Sequence, residues 1–303
     1  MIVGVDIGGT KIAVAGFVAE PEGGRSRATP VRTSATPARD GGEAIVCAVI
    51  DAVRAIEDGE RVTAVGVGTA GVIGPDGSVA SATDAIRGWA GFPLRSALER
   101  ALGVPVAVVN DVHAAAVAEA AQGAGRGASG LLMVTVGTGV GGAVVLPDGL
   151  RVGATGTAGS VGHTELALPP ELAGRRCGCG ALGHVEAVAS GPGLEQTYLE
   201  RTGTALPLRA VDALARGGDR TAAEVIAQGA QFLGRALAAA NAVLDVEVIA
   251  VGGGVAGIGE RYLAEVAAAY RTVAMPGPAL ARLLPAELGV DATATGAALL
   301  APG

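Results

Sequence analysis

The amino-acid sequence predicts an α/β protein of two domains, on three observations. Short apolar runs that read as buried strands alternate with helical stretches, a pattern that lays helices against a sheet. The opening arrangement of strand, Gly/Thr turn and strand returns at residues 131–146. The chain has 303 residues, half of them apolar by type, enough for two ordinary domains. With aromatics at only 2%, their cores must be built from Ala, Val and Leu.

Taken in order, Met1–Val5 reads as a strand ending at Asp6. Gly8-Gly9-Thr10 turns the chain, and Lys11–Val18 returns as the second strand of a hairpin. Residues 19–40, rich in Gly, Pro, Arg and Ser, read as an exposed loop or edge. A helix is expected from Gly42 to Glu57, apolar at Ile45, Val49, Ala52, Val53 and Ile56, with Cys47 counted in its core face. Val62–Val67 reads as a buried strand running into Gly68-Thr69-Ala70-Gly71. Pro93–Leu102 reads as a helix and Val104–Val109 as a strand. Val112–Gln122 is an Ala-rich helix for which Asn110 or Asp111 is a natural cap. After a Gly-rich bend at 123–130, Leu131–Val136, the turn Gly137-Thr138-Gly139 and Gly141–Leu146 repeat the opening plan. A long helix over 221–244 and a strand at Val246–Val251 lead to Gly252-Gly253-Gly254, and Thr293–Ala301 is a short terminal helix. The expected domains are residues 1–115, completed by the helix at 291–303, and residues 116–290, which include a loop at 160–190.

The net charge of −7 argues against a nucleic-acid partner, which calls for a basic face. No run reaches about 18 uninterrupted apolar residues, so no membrane span is expected. The opening residues carry no basic leader before Asp6, and three cysteines make no disulfide framework, so cytoplasm is the expected compartment. Of the 22 basic residues only Lys11 is a lysine, and it falls in the first Gly-rich turn.

Three Gly-rich turns each follow an apolar strand: DIGGTK, VGTGVGG and VGGGVA. Backbone N–H groups in such turns can cradle phosphate oxygens. Any one of them is as readily a plain tight turn. Together, two of them carrying Thr, they fit a nucleotide clamped between two domains. None is a Walker A loop or has the Rossmann spacing. Asp6 is placed to hold Mg²⁺ through water, an ion that favours carboxylate and phosphate oxygens. Asn110-Asp111, at the end of a strand, is the candidate for acid–base work, since phosphoryl transfer needs an Asp to take the attacking hydroxyl's proton. The alternative is that Asp111 only caps the next helix. His113 reads as a packing or surface residue. Cys177-Gly-Cys179, His184 and His163 together offer two thiolates and two imidazoles, a closed Zn²⁺ set that would pin the 160–190 loop. The alternative there is a pair of unrelated buried thiols.

These residues resemble the ROK family of sugar kinases and related repressors. The similarity runs through DIGGTK (6–11), GTAGVIGPDG (68–77), NDVHAAAVAE (110–119), VGTGVGGAVV (136–145), AGSVGHT (158–164), CGCGALGHVEAVASG (177–191) and VGGGV (251–255). The resemblance implies an actin-like ATPase (ribonuclease H-like) fold with a nucleotide and sugar cleft between two domains. It implies ATP as phosphate donor, catalytic Mg²⁺, structural Zn²⁺ and a homodimer. The implied ATP site is Asp6, Gly8, Gly9, Thr10, Lys11, Gly137, Thr138 and Gly139, with Gly253 and Gly254 near the adenosine. Asp111 is implied as catalytic base and Asn110 as a sugar contact, with Gly71, Ser160, His163 and Glu186 also around the sugar. The implied zinc ligands are His163, Cys177, Cys179 and His184.

Two departures from the family pattern stand out. His184 takes the place of a third zinc cysteine and still supplies a ligand. Ser160 stands where many members carry a Glu that hydrogen-bonds the sugar, a charge-assisted contact worth about 1.5–3 kcal/mol. The bacterial N-acetylmannosamine kinases resemble this chain in lacking that Glu, in GHT, in VEAxASG and in the GWAGFPL stretch (88–94). The expected reaction is therefore transfer of the γ-phosphate of ATP to the 6-hydroxyl of N-acetylmannosamine. A glucokinase of the same family is the nearest alternative. A repressor would carry a helix-turn-helix segment ahead of the first phosphate turn, which here begins at residue 6. A non-catalytic sugar sensor is set against the intact Asp6, Asn110 and Asp111.

Overall fold

The structure, a computed structural model, describes residues 1–20, 24–56 and 60–303. The expected loop at 19–40 and helix end at Glu57 fall partly outside the described residues. The chain divides into two compact units. The first comprises residues 1–123, 150–158 and 288–303, and the second residues 124–149 and 159–287.

The first unit opens with the hairpin β1 (Ile2–Ile7) and β2 (Lys11–Ala19). The segment read as an exposed loop or edge contributes β3 (Arg25–Arg27) and β4 (Arg32–Ala35), both antiparallel to β2. Their polar residues carry no strand signal; pairing with the β2 edge makes them strands. Then come α1 (Gly42–Arg54), β5 (Ala64–Thr69), the small hairpin β6 (Val72–Ile73) and β7 (Val79–Ser81), α2 (Leu94–Leu102), β8 (Val106–Asn110) and α3 (Asp111–Gln122). The sheet order is β3-β2-β1-β5-β8, with β1, β5 and β8 parallel. On α1 the buried positions are Ile45, Val46, Val49 and Val53. Cys47 is exposed, contrary to expectation. It stands two residues from both Ile45 and Val49, and at about 100° per residue that turns it to the opposite side of the helix. The unit continues to Gly123 because α3 is one uninterrupted helix; a boundary at 115 would cut its hydrogen-bond ladder.

The second unit contains β9 (Leu131–Val136), β10 (Val140–Leu146), β11 (Gly149–Arg151), α4 (Pro170–Ala173), α5 (Glu186–Ala189), α6 (Gly191–Thr202), α7 (Leu208–Arg216), α8 (Arg220–Leu244), β12 (Val248–Gly252), α9 (Glu260–Val273) and β13 (Arg282–Pro285). Its sheet runs β11-β10-β9-β12-β13, again a hairpin flanked by parallel strands. The buried Asn241 of α8 donates to the Tyr270 hydroxyl of α9 (2.8 Å) and accepts from Val246 N–H (2.8 Å), fixing both helices to the entry of β12. Among the described residues no helix is long and apolar enough to cross a membrane.

The chain ends in α10 (Ala292–Leu300), which returns to the first unit and packs on β1, β5 and α3. Strand alternation makes room for it. Val3, Val5, Ile7, Val65 and Val67 face α1 and α2, so Gly4 and Gly66 face the other way. A Cβ on Gly66 would lie 1.8 Å from Ala297 O, and one on Gly4 2.0 Å from Ala294 O. The helix backbone rests directly on the sheet, a close approach that only glycine permits.

Candidate active site and metal centre

In the first unit the expected residues gather at the carboxyl ends of β1, β5 and β8, where open α/β sheets place their ligands. Strand register sets Asp6 opposite Gly68 and Thr69 opposite Asn110. The first Gly-rich turn is closed by Gly8 N–H to Lys11 O (3.0 Å) and braced by Thr36. That residue, which the sequence reading passed over, donates its hydroxyl to Gly8 O (2.7 Å) and its N–H to Thr10 O (3.0 Å). Gly9, Thr10 and Lys11 stay exposed, open to a ligand.

Asn110, not Asp111, is the helix cap. Its Oδ1 accepts from the N–H groups of Val112 (2.9 Å) and His113 (3.2 Å), and its Nδ2 donates to Gly71 O (3.0 Å). The Asn110 side chain also hydrogen-bonds the Asp111 carboxylate, so the two residues are held as a pair. Asp111 begins α3, with Val112 N–H donating to its Oδ1 at 2.9 Å. Burial raises its pKa above the ordinary carboxylate range, although Val112 N–H and His113 pull the other way. Asp6 is pushed up to about 7, first by burial and then by the neighbouring Asp111 carboxylate, with Lys11 offsetting part. A buried Asp6 raised by the Asp111 carboxylate fits a site for a cation, and Mg²⁺ held at Asp6 would relieve that repulsion. His113 is buried with Nε2 3.3 Å from Ala158 O, and burial lowers its pKa; it is a packing residue.

In the second unit the other two turns sit at the ends of the parallel strands β9 and β12. Gly137 N–H closes on Gly139 O (2.9 Å), and Thr138 is exposed. Gly253, at φ +91, lies against this turn's root: a Cβ there would stand 2.4 Å from Val136 O. Val255 N–H donates to the same carbonyl at 2.9 Å. Gly253 and Gly254 are exposed. The segment that leaves this turn borders a cleft of about 230 Å³ with walls from Ala215, Ile226 and Ile258. The buried Tyr262 also lines it, and its hydroxyl has no partner among the described residues. Arg216 donates to Ile258 O and holds one wall.

The ligand atoms of His163, Cys177, Cys179 and His184 all lie within 4.8 Å of one another. Cys177 Sγ is 3.5 Å from His163 Nδ1, and Cys179 Sγ is 3.3 Å from His184 Nδ1. Tetrahedral zinc with its usual bond lengths needs S···N separations of roughly 3.6 Å, so the set fits. Burial pushes the Cys177 thiol up to about 12, with the Glu186 carboxylate adding. A metal would take the place of that proton. Glu186 points both of its oxygens at protein partners, Oε1 at Cys177 Sγ (3.1 Å) and Oε2 at Val140 N–H (3.0 Å). Ser160 starts the 3₁₀ turn Val161–His163, its carbonyl accepting from His163 N–H at 3.0 Å. Arg175 ties the metal loop down: it donates to Gly193 O (2.9 Å) and Thr197 Oγ1 (2.7 Å) and pairs with Glu200.

The sequence matches the ROK family over residues 2–303. It is 36% identical over 303 residues to the N-acetylmannosamine kinase of Escherichia coli O1:K1 / APEC, covering 99% of this chain and 97% of that one. The ROK hexokinase from Thermus thermophilus superposes with a TM-score of 0.87 at 35% identity, over 98% of this chain and 96% of the other. The ROK family glucokinase from Streptomyces griseus, solved with glucose and AMPPNP, gives 0.80 at 34% identity, over 99% and 98%. Matched end to end in sequence, and sharing the actin-like ATPase fold of these kinases, the chain belongs to the ROK family.

Proposed function

We propose that the chain is an ATP-dependent sugar kinase acting on the 6-hydroxyl of an N-acetylated hexosamine, N-acetylmannosamine first. The observation that carries the kinase reading is Asp111. It is a half-buried carboxylate at the carboxyl end of the parallel strands, beside Asp6 and the Gly8–Lys11 turn. The similarity to a glucokinase solved with AMPPNP supports ATP as donor. In the step proposed, Asp111 accepts the 6-hydroxyl proton as that oxygen bonds to the γ-phosphorus, the γ-phosphorus–oxygen bond to ADP breaks, and ADP leaves. Asn110, bonded to Gly71 O and to the Asp111 carboxylate, holds Asp111 beside the sugar. The Gly8–Lys11 turn offers backbone N–H groups to phosphate oxygens, and so does the Gly137–Gly139 turn. Mg²⁺ at Asp6 supplies neutralisation of the phosphate charge when bound. The cleft walled by Ala215, Ile226 and Ile258 takes the adenine. Zn²⁺ on His163, Cys177, Cys179 and His184 pins the loop that carries Ser160. A homodimer in the cytoplasm belongs to the same reading.

Ser160 supports the N-acetylated substrate. A Glu at that position would hydrogen-bond the hydroxyls near C1 and C2, and Ser leaves room for a bulkier 2-substituent. A glucokinase is the second reading, favoured by the Streptomyces griseus relative. Steady-state kinetics with both sugars separates the two. The expected kcat/KM is at least about tenfold higher for N-acetylmannosamine than for glucose, and Ser160→Glu narrows that gap. A wild-type preference for glucose would make the chain a glucokinase.

A further inference from the structure

The metal cluster and the second Gly-rich turn meet at one residue. Val140 is the first residue of β10 and follows Gly139 directly. Its N–H donates to Glu186 Oε2, and Glu186 stands two residues beyond the ligand His184 on the stretch that also carries Cys177 and Cys179. Its carbonyl faces Gly162: a Cβ on Gly162 would stand 2.0 Å from Val140 O, so the turn that ends on His163 lies flush against it. The turn is shaped from the same side, since a Cβ on Gly139 would stand 2.6 Å from Glu186 Oε2. A second tie comes from Gly191, five residues beyond Glu186, whose N–H donates to Gly137 O at 2.8 Å.

Two stretches of chain supply the ligands. One is the turn Val161–His163, carrying His163; the other is 177–186, carrying Cys177, Cys179 and His184 and ending on Glu186. Both close on Val140, one on its N–H and the other on its carbonyl. A metal that draws the four ligand atoms together therefore also sets the Gly139–Val140 peptide. That peptide completes the Gly137–Gly139 turn, and a phosphate cradle depends on where its N–H groups point.

We infer that Glu186 is a positioning residue through which the metal cluster sets the Gly137–Gly139 turn, so that metal occupancy is felt as affinity for nucleotide phosphates. This rests on the reading of that turn as a phosphate site. A metal that merely staples its own loop would leave nucleotide affinity unchanged.

Calorimetric titration of the zinc-loaded full chain with AMPPNP and with adenosine, in Mg²⁺ and without sugar, tests it. Glu186→Ala should weaken AMPPNP about tenfold and leave adenosine within about twofold. Glu186→Gln, which keeps an oxygen for Val140 N–H, should recover most of the loss. Chelating the zinc should cost the wild type the same factor and Glu186→Ala less than about twofold more. If the metal-free chain unfolds by circular dichroism, the Ala and Gln variants decide with zinc bound. Gly137→Ala is the control on the turn, because a Cβ there meets nothing within 4 Å. If it binds AMPPNP like the wild type, the turn is not a phosphate site and the inference falls with that reading. If it weakens AMPPNP while Glu186→Ala does not, the coupling alone is overturned.

Discussion

Asp111→Asn is expected to lower kcat by about 10²- to 10⁴-fold, the usual contribution of a positioned general base. Folding should survive, because Asn keeps an Oδ1 for Val112 N–H, the bond that Asp111 makes at the start of α3. Sugar and AMPPNP affinities should stay within a few-fold, since the lost group acts on the proton in flight. The wild-type pH profile should carry the same signature. Asp111 works as a base only when ionised, and burial raises its pKa. Asp6, pushed up to about 7, must also be ionised to hold a cation. So kcat/KM should rise with pH through a limb above the ordinary carboxylate range and then level off. A stopped-flow or coupled assay of both proteins from pH 5 to 9 checks this. An Asn variant within tenfold of wild type would remove Asp111 from the chemistry.

The largest expected effect on stability is Gly296→Ala. A Cβ there would lie 1.7 Å from Ala114 O and 2.5 Å from its carbonyl carbon. Those atoms belong to the backbone of α3, so no side chain can swing away. Overpacking a core usually costs about 1–3 kcal/mol, and a backbone-to-backbone collision should reach at least the top of that range. Because α10 also rests on Gly4 and Gly66, displacing it uncovers one face of the first unit's sheet. The expected outcome is insoluble protein or a melting temperature lower by about 6 °C or more. Gly277→Ala is the matched control: its φ is −66 and a Cβ there meets nothing within 4 Å. It should be neutral or slightly stabilising. Thermal unfolding of the two variants side by side tests the packing.

The parts legible in the sequence were those whose chemistry is local. The three Gly-rich turns announce themselves by composition, and Cys177, Cys179 and His184 by spacing. The double hairpin-plus-parallel-strand plan was visible because fully buried strands read as unbroken apolar runs. What pairing decides was not legible. The polar β3 and β4 exist because β2 offers an edge, and Cys47 changed sides once the register of α1 was set by Ile45 and Val49. Asn110 and Asp111 were equal as caps on paper; the backbone gave the cap to Asn110 and left Asp111 at the first helical position. The roles of Thr36, Arg175 and Val140 depend on partners about 20 to 50 residues away, and no local signal announces them. The family resemblance points to Glu186, but its grip on Val140 is a product of the fold.

A sugar kinase transfers the γ-phosphate of ATP only when a sugar hydroxyl is there to take it. The most direct measurement is ADP release from MgATP by the purified protein, with and without N-acetylmannosamine, N-acetylglucosamine, glucose, mannose or fructose. The expected result is release that depends on added sugar and is fastest with N-acetylmannosamine. ADP release that ignores every sugar, or none at all in a protein that still binds AMPPNP, would contradict it.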